Sequence, residues 1–430
     1  MGVTTGRRRR GPDDAGMSLL EVVIAMAIFS IGVTAVLGLL IRTDQVASGN
    51  LRRSTAAGLV DQYLEAARAQ AALDLTNGRN IDLPKVNGIE YKVTTNVSVL
   101  TSDATSSACT TAAGSARLAY KLVRVAVTWP DMGLVQPVTG DLLRAIGPGA
   151  IDSTKNSLAV QLSDANGKPV AGVTVALNGG TTTQTTGDDG CAVFTGLADG
   201  AYSATANQAG YVGTANTQSA PSRTVNVTAT QSSTGNGAAV GTLSKVDLPY
   251  DTARSLTYTY ASPMSGVTAL ASGIPLRISR SGLTETTVSA TCASSSTSMC
   301  LTTTTPPQIQ ALYPGTYTVK AGSCTPAGPS QGQVNIQDAA ASGGAVSIPM
   351  GALTIQVKGL LGSSSRLVTI TPSSSCPAGD SYTVNVPAAG TTVLVPYGSY
   401  VLTATGVTVS SSATVSSGSP VQSVVVGAVV

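Results

Sequence analysis

Gly16-Met17-Ser18-Leu19-Leu20-Glu21 leads into Val22-Val23-Ile24-Ala25-Met26-Ala27-Ile28-Phe29, and from there to Ile41 no residue carries a charge. At about 1.5 Å of rise per residue, a helix over 22–41 spans roughly 30 Å, the thickness of a bilayer's hydrocarbon core. A secretory signal peptide has a shorter apolar region with its small-residue cleavage site behind it. Here the small pair Ala15-Gly16 stands in front of the apolar run. Arg7 to Arg10 form a basic cluster on the N-terminal side. Cationic residues stay cytoplasmic, so everything after Ile41 is expected outside; Arg42, on the outer side, is outweighed by that cluster.

Glu21 is the one acidic residue between Asp14 and Asp44, and it immediately precedes the apolar run. A carboxylate beside hydrocarbon costs free energy unless it is paired, which makes it a candidate for function; snorkelling to the headgroups is the alternative. Taken together, the basic leader, Gly16, Glu21 at its fixed spacing and the uninterrupted apolar helix resemble the class III signal of type IV pilins and pseudopilins. The resemblance implies that prepilin peptidase cuts between Gly16 and Met17 on the cytoplasmic side and methylates the new terminal amine. Glu21 would then be the fifth residue of the mature chain. Met17 departs from the phenylalanine most frequent at that position. Also implied are other pilin subunits as partners, lipid of the cytoplasmic membrane around a single span before assembly, and an extracellular filament or cell-surface location afterwards. In such a filament Glu21 can neutralise the amine of a neighbouring subunit, setting register more than affinity. Gly32 and Gly38 weaken the helix interior, and Gly38 is read as a point of local melting during assembly; the alternative is that both are small residues for close helix packing.

Helical spacing continues through Leu51, Leu59, Val60, Tyr63, Leu64, Ala67 and Ala71, and stops near Thr76-Asn77-Gly78. A transmembrane and stalk helix is therefore expected over 17–78, behind a leader at 1–16. Ile89-Glu90-Tyr91-Lys92-Val93 and Asn96-Val97-Ser98-Val99 read as a strand pair, and the alternation from Leu118 to Trp129 as one long half-buried strand. These define a small β-sheet head over 79–150, of the kind that a pilin carries. Trp129 is expected to anchor its core rather than to form a ligand platform.

Beyond residue 150 the chain repeats itself. Gly200-Ala201-Tyr202, Gly315-Thr316-Tyr317 and Gly398-Ser399-Tyr400 each place a turn glycine before a tyrosine that opens a strand. Apolar strand candidates precede them at 158–162, 274–278 and 353–357. This spacing predicts about three β-sandwich modules, at 151–243, 244–349 and 350–430, and an α+β chain overall. Residues 155–215, with Asp164-Ala165-Asn166-Gly167 and Gly187-Asp188-Asp189-Gly190, resemble the carboxypeptidase-regulatory-like, transthyretin-like sandwich common in surface proteins. Asp188-Asp189-Gly190 suggests a turn before it suggests a calcium site.

Hydrophobic residues make up 42% of the chain, aromatics 4% and charged residues 11%. With a formal net charge of +3 and no basic run interleaved with aromatics, no nucleic-acid partner is expected. The chain contains no histidine, and its glutamates are Glu21, Glu65, Glu90 and Glu285. The commonest general base is thus absent, so no enzyme activity, cofactor or metal is expected. Six cysteines, Cys109, Cys191, Cys292, Cys300, Cys324 and Cys376, favour disulfides in an exported chain, with a reduced buried set as the alternative. Cys292 with Cys300 closes the shortest loop. Two readings of function follow. One is a minor pilin or pseudopilin that joins or primes a filament and displays its modules. The other is a membrane-anchored surface adhesin whose neutral, hydroxyl-rich modules meet glycan or another surface ligand.

Overall fold

The computed structural model describes residues 19–430 apart from 103–105, 111–117, 148–149, 152–154, 181, 228–229, 232–238, 289–290, 293–297, 323–329, 337–343, 359–363, 374–379 and 428–430. One long apolar helix is followed by many strands in several sheets, an α+β chain. The chain divides into two compact units, one comprising Met1–Ala66, Ile81–Thr94 and Val125–Gly140, the other Ala67–Asn80, Thr95–Arg124 and Asp141–Val430.

The helix runs Leu19–Ala69, about 76 Å at 1.5 Å per residue. It ends before the expected Thr76-Asn77-Gly78. The carbonyls that a longer helix would pair internally are taken by side chains instead. Arg144 Nη2 donates to Gln70 O at 2.9 Å. Lys121 Nζ donates to Leu75 O at 2.6 Å and to Leu73 O at 3.4 Å. Burial pulls the buried Lys121 amine below the ordinary lysine range, and Asp74 opposes that shift.

The head sheet has the strand order Gly78–Asp82, Lys92–Thr101, Leu118–Thr128, Val138–Ala145. The expected strand pair at 89–99 is mostly a single strand, Lys92–Thr101, because Thr94-Thr95 supplies no turn chemistry. The turn lies earlier, at Asn87-Gly88, where both φ angles are positive (51° and 80°) and Lys85–Val86 pairs with Ile89–Glu90. That is the primed hairpin turn for which Asn-Gly is the preferred pair. Trp129 is buried with its ring 6.2 Å from that of Tyr91.

Three sandwiches follow, and one device closes each. The first and last strands lie side by side and parallel: Asn156–Ser163 with Leu243–Thr252, Arg254–Ala261 with Gly344–Pro349, and Gly351–Val357 with Val421–Val426. The first sandwich therefore reaches Thr252, beyond residue 243. The second opens on Arg254–Ala261, where Leu256 and Tyr258 alternate into the core, and the strand candidate at 274–278 falls in the opposite sheet, on Leu276–Arg280. Each sandwich encloses its own core, led by Leu158, Val175 and Phe194, by Leu256, Ile278 and Tyr317, and by Ile355, Ile370 and Tyr400.

Candidate functional site: the N-terminal helix and the sandwich contacts

Glu21 lies exposed in the first turn of the helix, where a negative side chain meets the positive end of the helix dipole. Gly16 and Met17 lie outside the described residues. After Glu21 the apolar side chains from Val22 to Ile41 are exposed, and the helix is long and apolar enough to cross a membrane. Its few hydroxyls need no water. Ser30 Oγ donates to Met26 O at 2.7 Å, Thr34 Oγ1 to Ser30 O at 2.9 Å and Thr43 Oγ1 to Leu39 O at 2.9 Å. A lipid environment demands this internal satisfaction. Among the described residues, nothing lies within 4 Å of where a Cβ would stand at Gly32 or Gly38, so none of them packs against either position.

The three glycine-tyrosine repeats share one geometry. Tyr202, Tyr317 and Tyr400 each donate a hydroxyl hydrogen bond to the carbonyl of the residue four positions earlier: Ala198 at 3.1 Å, Tyr313 at 2.7 Å and Pro396 at 2.5 Å. This is a tyrosine corner, in which the ring fills the core while the hydroxyl fixes the turn that enters the strand. Tyr317 and Tyr400 are fully buried and Tyr202 is half-buried. Burial raises the Tyr317 and Tyr400 hydroxyls above the ordinary tyrosine range, and it pushes Tyr313 up to about 12.

In the second sandwich the corner is also a contact with the first. Asn216, fully buried at φ 59°, belongs to the first sandwich. Its Oδ1 accepts from Tyr313 N at 2.9 Å and lies 2.9 Å from the Tyr317 hydroxyl. Its carbonyl accepts from Met299 N at 3.1 Å. Arg280 donates to Thr214 O and lies with Cζ 5.0 Å from the centre of the Tyr313 ring. Between the second and third sandwiches the contact is made by backbone. Ala271 N donates to Leu394 O at 3.1 Å, while Ser272 and Thr383 exchange bonds of 2.8 and 2.9 Å. Ala271 itself sits in the third core. Arg277 adds an ion pair to Asp380 at 3.6 Å, and within the second sandwich the Glu285 carboxylate forms ion pairs with both Arg277 and Lys320 at 3.7 Å.

The cysteines join different parts of the chain. Cys109 is bonded to Cys191 and Cys292 to Cys300. Cys324 and Cys376 lie outside the described residues. Around Cys191, the pair Asp188-Asp189 forms a docking turn. Asp188 N donates to Asn96 Oδ1 at 2.8 Å, and Arg79 lies 3.5 Å from the Asp188 carboxylate. Asp189 Oδ2 accepts from Ser107 at 2.5 Å, and its Oδ1 accepts from Cys191 N at 3.1 Å. Both acids are thus committed to protein groups. Sequence reasoning singled out the tyrosines but not Asn216, Arg277 or Arg280. An asparagine inside Thr-Ala-Asn-Thr-Gln carries no periodic signal, and its positive φ is a property of the folded chain.

No curated protein matches the chain in sequence. Among solved structures it is similar to the TIE protein of Bacillus anthracis, at 12% identity, covering 86% of this chain and 78% of that one, with a TM-score of 0.19. It is also similar to the major pilin subunit of Bacillus cereus, at 13% identity, 64% and 99% coverage and a TM-score of 0.19. A minor pilin of Streptococcus agalactiae matches at 13% identity, 45% and 94% coverage and a TM-score of 0.22. Residues 12–37 match the prokaryotic N-terminal methylation motif, so the chain carries the N-methylation signal of type IV pilin-like prepilins.

Proposed function

We propose that this protein is a minor type IV pilin or pseudopilin, cut after Gly16 by prepilin peptidase and assembled into, or priming, an extracellular filament. The observation that carries the reading is the methylation motif over 12–37, continuous with an exposed apolar helix headed by Glu21. Before assembly the apolar side chains are satisfied by lipid of the cytoplasmic membrane, with the N-terminus inside. Within a filament they are satisfied by the helices of neighbouring subunits. Glu21 pairs with the amine of an adjacent subunit, an amine that exists only after cleavage. A charge pair in low dielectric contributes more to register than to net affinity, so position along the filament is what the carboxylate controls.

The sandwiches are the displayed, non-catalytic part. Support comes from the absence of histidine in the sequence and from the assignment of Asp188, Asp189, Glu285 and Asp380 to structural contacts. Their domain limits in this reading are the closed units 156–252, 254–349 and 351–426.

Two measurements test the proposal. N-terminal mass analysis of the membrane form is expected to find a chain starting at methylated Met17. Intact Met1 as the sole form, in cells with active prepilin peptidase, would overturn it. Glu21→Ala is expected to leave cleavage unchanged and to lower incorporation into sheared filaments by tenfold or more, about 1.4 kcal/mol, because the neighbouring subunit's amine is left unpaired in low dielectric. Incorporation at the wild-type level would return Glu21 to a headgroup-facing role and favour the anchored adhesin.

A further inference from the structure

We infer that the three sandwiches form a tether that resists stretching, in which each pair of first and last strands is a clamp loaded in shear. The source of the tension, a filament at one end and a surface contact at the other, rests on the reading above. Each sandwich admits the chain at its first strand and releases it from its last, and those two strands are parallel neighbours. They pair over seven residues in the first sandwich, 157–163 with 243–249, and over six in each of the others. In a parallel pair the point of entry and the point of exit lie at opposite ends of the ladder, about 20 Å apart for six residues at about 3.3 Å each. Tension then drives the strands past each other along their length, and all the cross-strand bonds oppose it together. Antiparallel strands would bring entry and exit to one end, where tension peels the bonds in turn. Parallel pairing is slightly the weaker per residue. Closing all three sandwiches this way therefore brings no advantage at rest; the advantage appears under tension.

The joints between ladders leave no slack. One residue, Ala253, separates Leu243–Thr252 from Arg254–Ala261, and one, Met350, separates Gly344–Pro349 from Gly351–Val357. Ala253 N donates to Gly210 O at 2.8 Å, and Met350 N to Ala261 O at 3.0 Å; Met350 is also buried. Tension leaving one ladder thus enters the next directly.

Side chains add resistance to sliding. In the second sandwich Leu256 and Tyr258 are buried on one strand and Val346 and Ile348 on the other. Because side chains alternate between faces, a slip of one residue would turn a buried set out to water. Gly344–Pro349 stands at the edge of its sheet, so this ladder is its attachment within the sheet. The first sandwich is tied in addition through Cys191, on the strand beside Asn156–Ser163, which makes the second the simpler case.

The test stretches one full-length molecule, in detergent, between two alternative pairs of points. Azide-bearing side chains replace Leu51, exposed on the stalk, and Ala345, exposed near the start of Gly344–Pro349; a C-terminal tag is the third handle. Stretching from 51 to the tag loads the second ladder in shear. Stretching from 51 to 345 loads the same ladder at its near end and peels it, because Ala345 lies opposite Thr257. The second sandwich, recognised by the length of chain it releases, is expected to open at about twofold or greater force in the first geometry, where the ladder bonds share the load. Both geometries use the same folded molecule, so folding stability cannot produce the difference. Equal forces, or a higher force from position 345, would overturn the inference. A chain that resists shear but is never processed at Gly16 would leave the clamp standing and remove the filament reading. A processed, filament-forming chain with equal forces would do the reverse.

Discussion

The first sandwich is held at two places by different chemistry. Around Cys191 the contact is covalent and partly wet: a disulfide to Cys109, with the Arg79–Asp188 ion pair half-exposed alongside. Around Asn216 it is non-covalent and dry, a fully buried amide beside the hydroxyl of a fully buried tyrosine. The disulfide acts mainly on the unfolded chain, by closing a loop across a sequence separation of 82, and its stabilisation tolerates imperfect packing nearby. The amide acts only in the folded state and tolerates nothing, because each partner that loses it is left desolvated and unpaired. A small apolar patch, Val99, Ala108, Ala159, Val193 and Leu243, surrounds the disulfide. The Asn216 contact instead joins two sandwiches that already own complete cores. Where the local core is thin, a covalent bond carries the contact; where cores are full, buried polar groups fix orientation.

Cys109→Ser with Cys191→Ser sharpens this comparison most. Loop-closure entropy for that separation is worth about 4.5 kcal/mol, against about 2.5 kcal/mol for the Cys292–Cys300 loop. Thermal unfolding of the full chain in detergent should show the larger loss for the first pair, with protease cleavage appearing in 95–124. Equal losses for the two pairs would mean that loop length does not govern either bond. Asn216→Ala comes next. It strips the partner from Tyr313 N and puts a Cβ-bearing residue without side-chain compensation at φ 59°, for a cost of about 2–4 kcal/mol. The expected readout is new protease sensitivity at 213–217 while each sandwich keeps its own melting transition. An unchanged protease pattern would show that backbone contacts alone hold the two sandwiches together.

The contrast also explains what could be read from the sequence. The apolar run was legible because its pattern is uniform: residues 22–41 carry no charge, and Glu21 stands out against them. The sandwiches were legible as repeats, because a glycine before a tyrosine recurs wherever a strand must be entered through a sharp turn. The end of the helix was not, since Ala67 and Ala71 keep the period while Arg144 and Lys121, distant in sequence, take the carbonyls that decide the matter. Module edges were obscured for a related reason. Parallel pairing of first and last strands joins residues such as Leu158 and Ser244, and no local pattern records that partnership. Asn216 and Arg280 were invisible because their partners belong to another sandwich.

The smallest effects come from the three corner hydroxyls, and they test whether the corner or the contact matters more. Tyr→Phe removes one hydroxyl bond and leaves the ring in the core, so each change is worth about 1 kcal/mol where the acceptor is buried and less where water can replace it. Tyr317→Phe should therefore cost the most, since Tyr313 O and Asn216 both face its hydroxyl; Tyr400→Phe should follow, and half-buried Tyr202→Phe should cost least. Alkaline titration gives an independent reading. Burial raises Tyr317, Tyr382 and Tyr400 above the ordinary value of 10.0, and it brings Tyr313 to about 12. A raised folded-state value means that the protonated hydroxyl is favoured by folding. Its contribution is complete below about pH 10 and is lost as pH climbs through the raised values. Stability of the second and third sandwiches should hold to about pH 10 and fall steeply above it. Tyr317→Phe and Tyr400→Phe should flatten that fall in the sandwich that carries each change. A fall of the same steepness after both substitutions would assign the alkaline loss to other groups and leave the corners with a purely steric role.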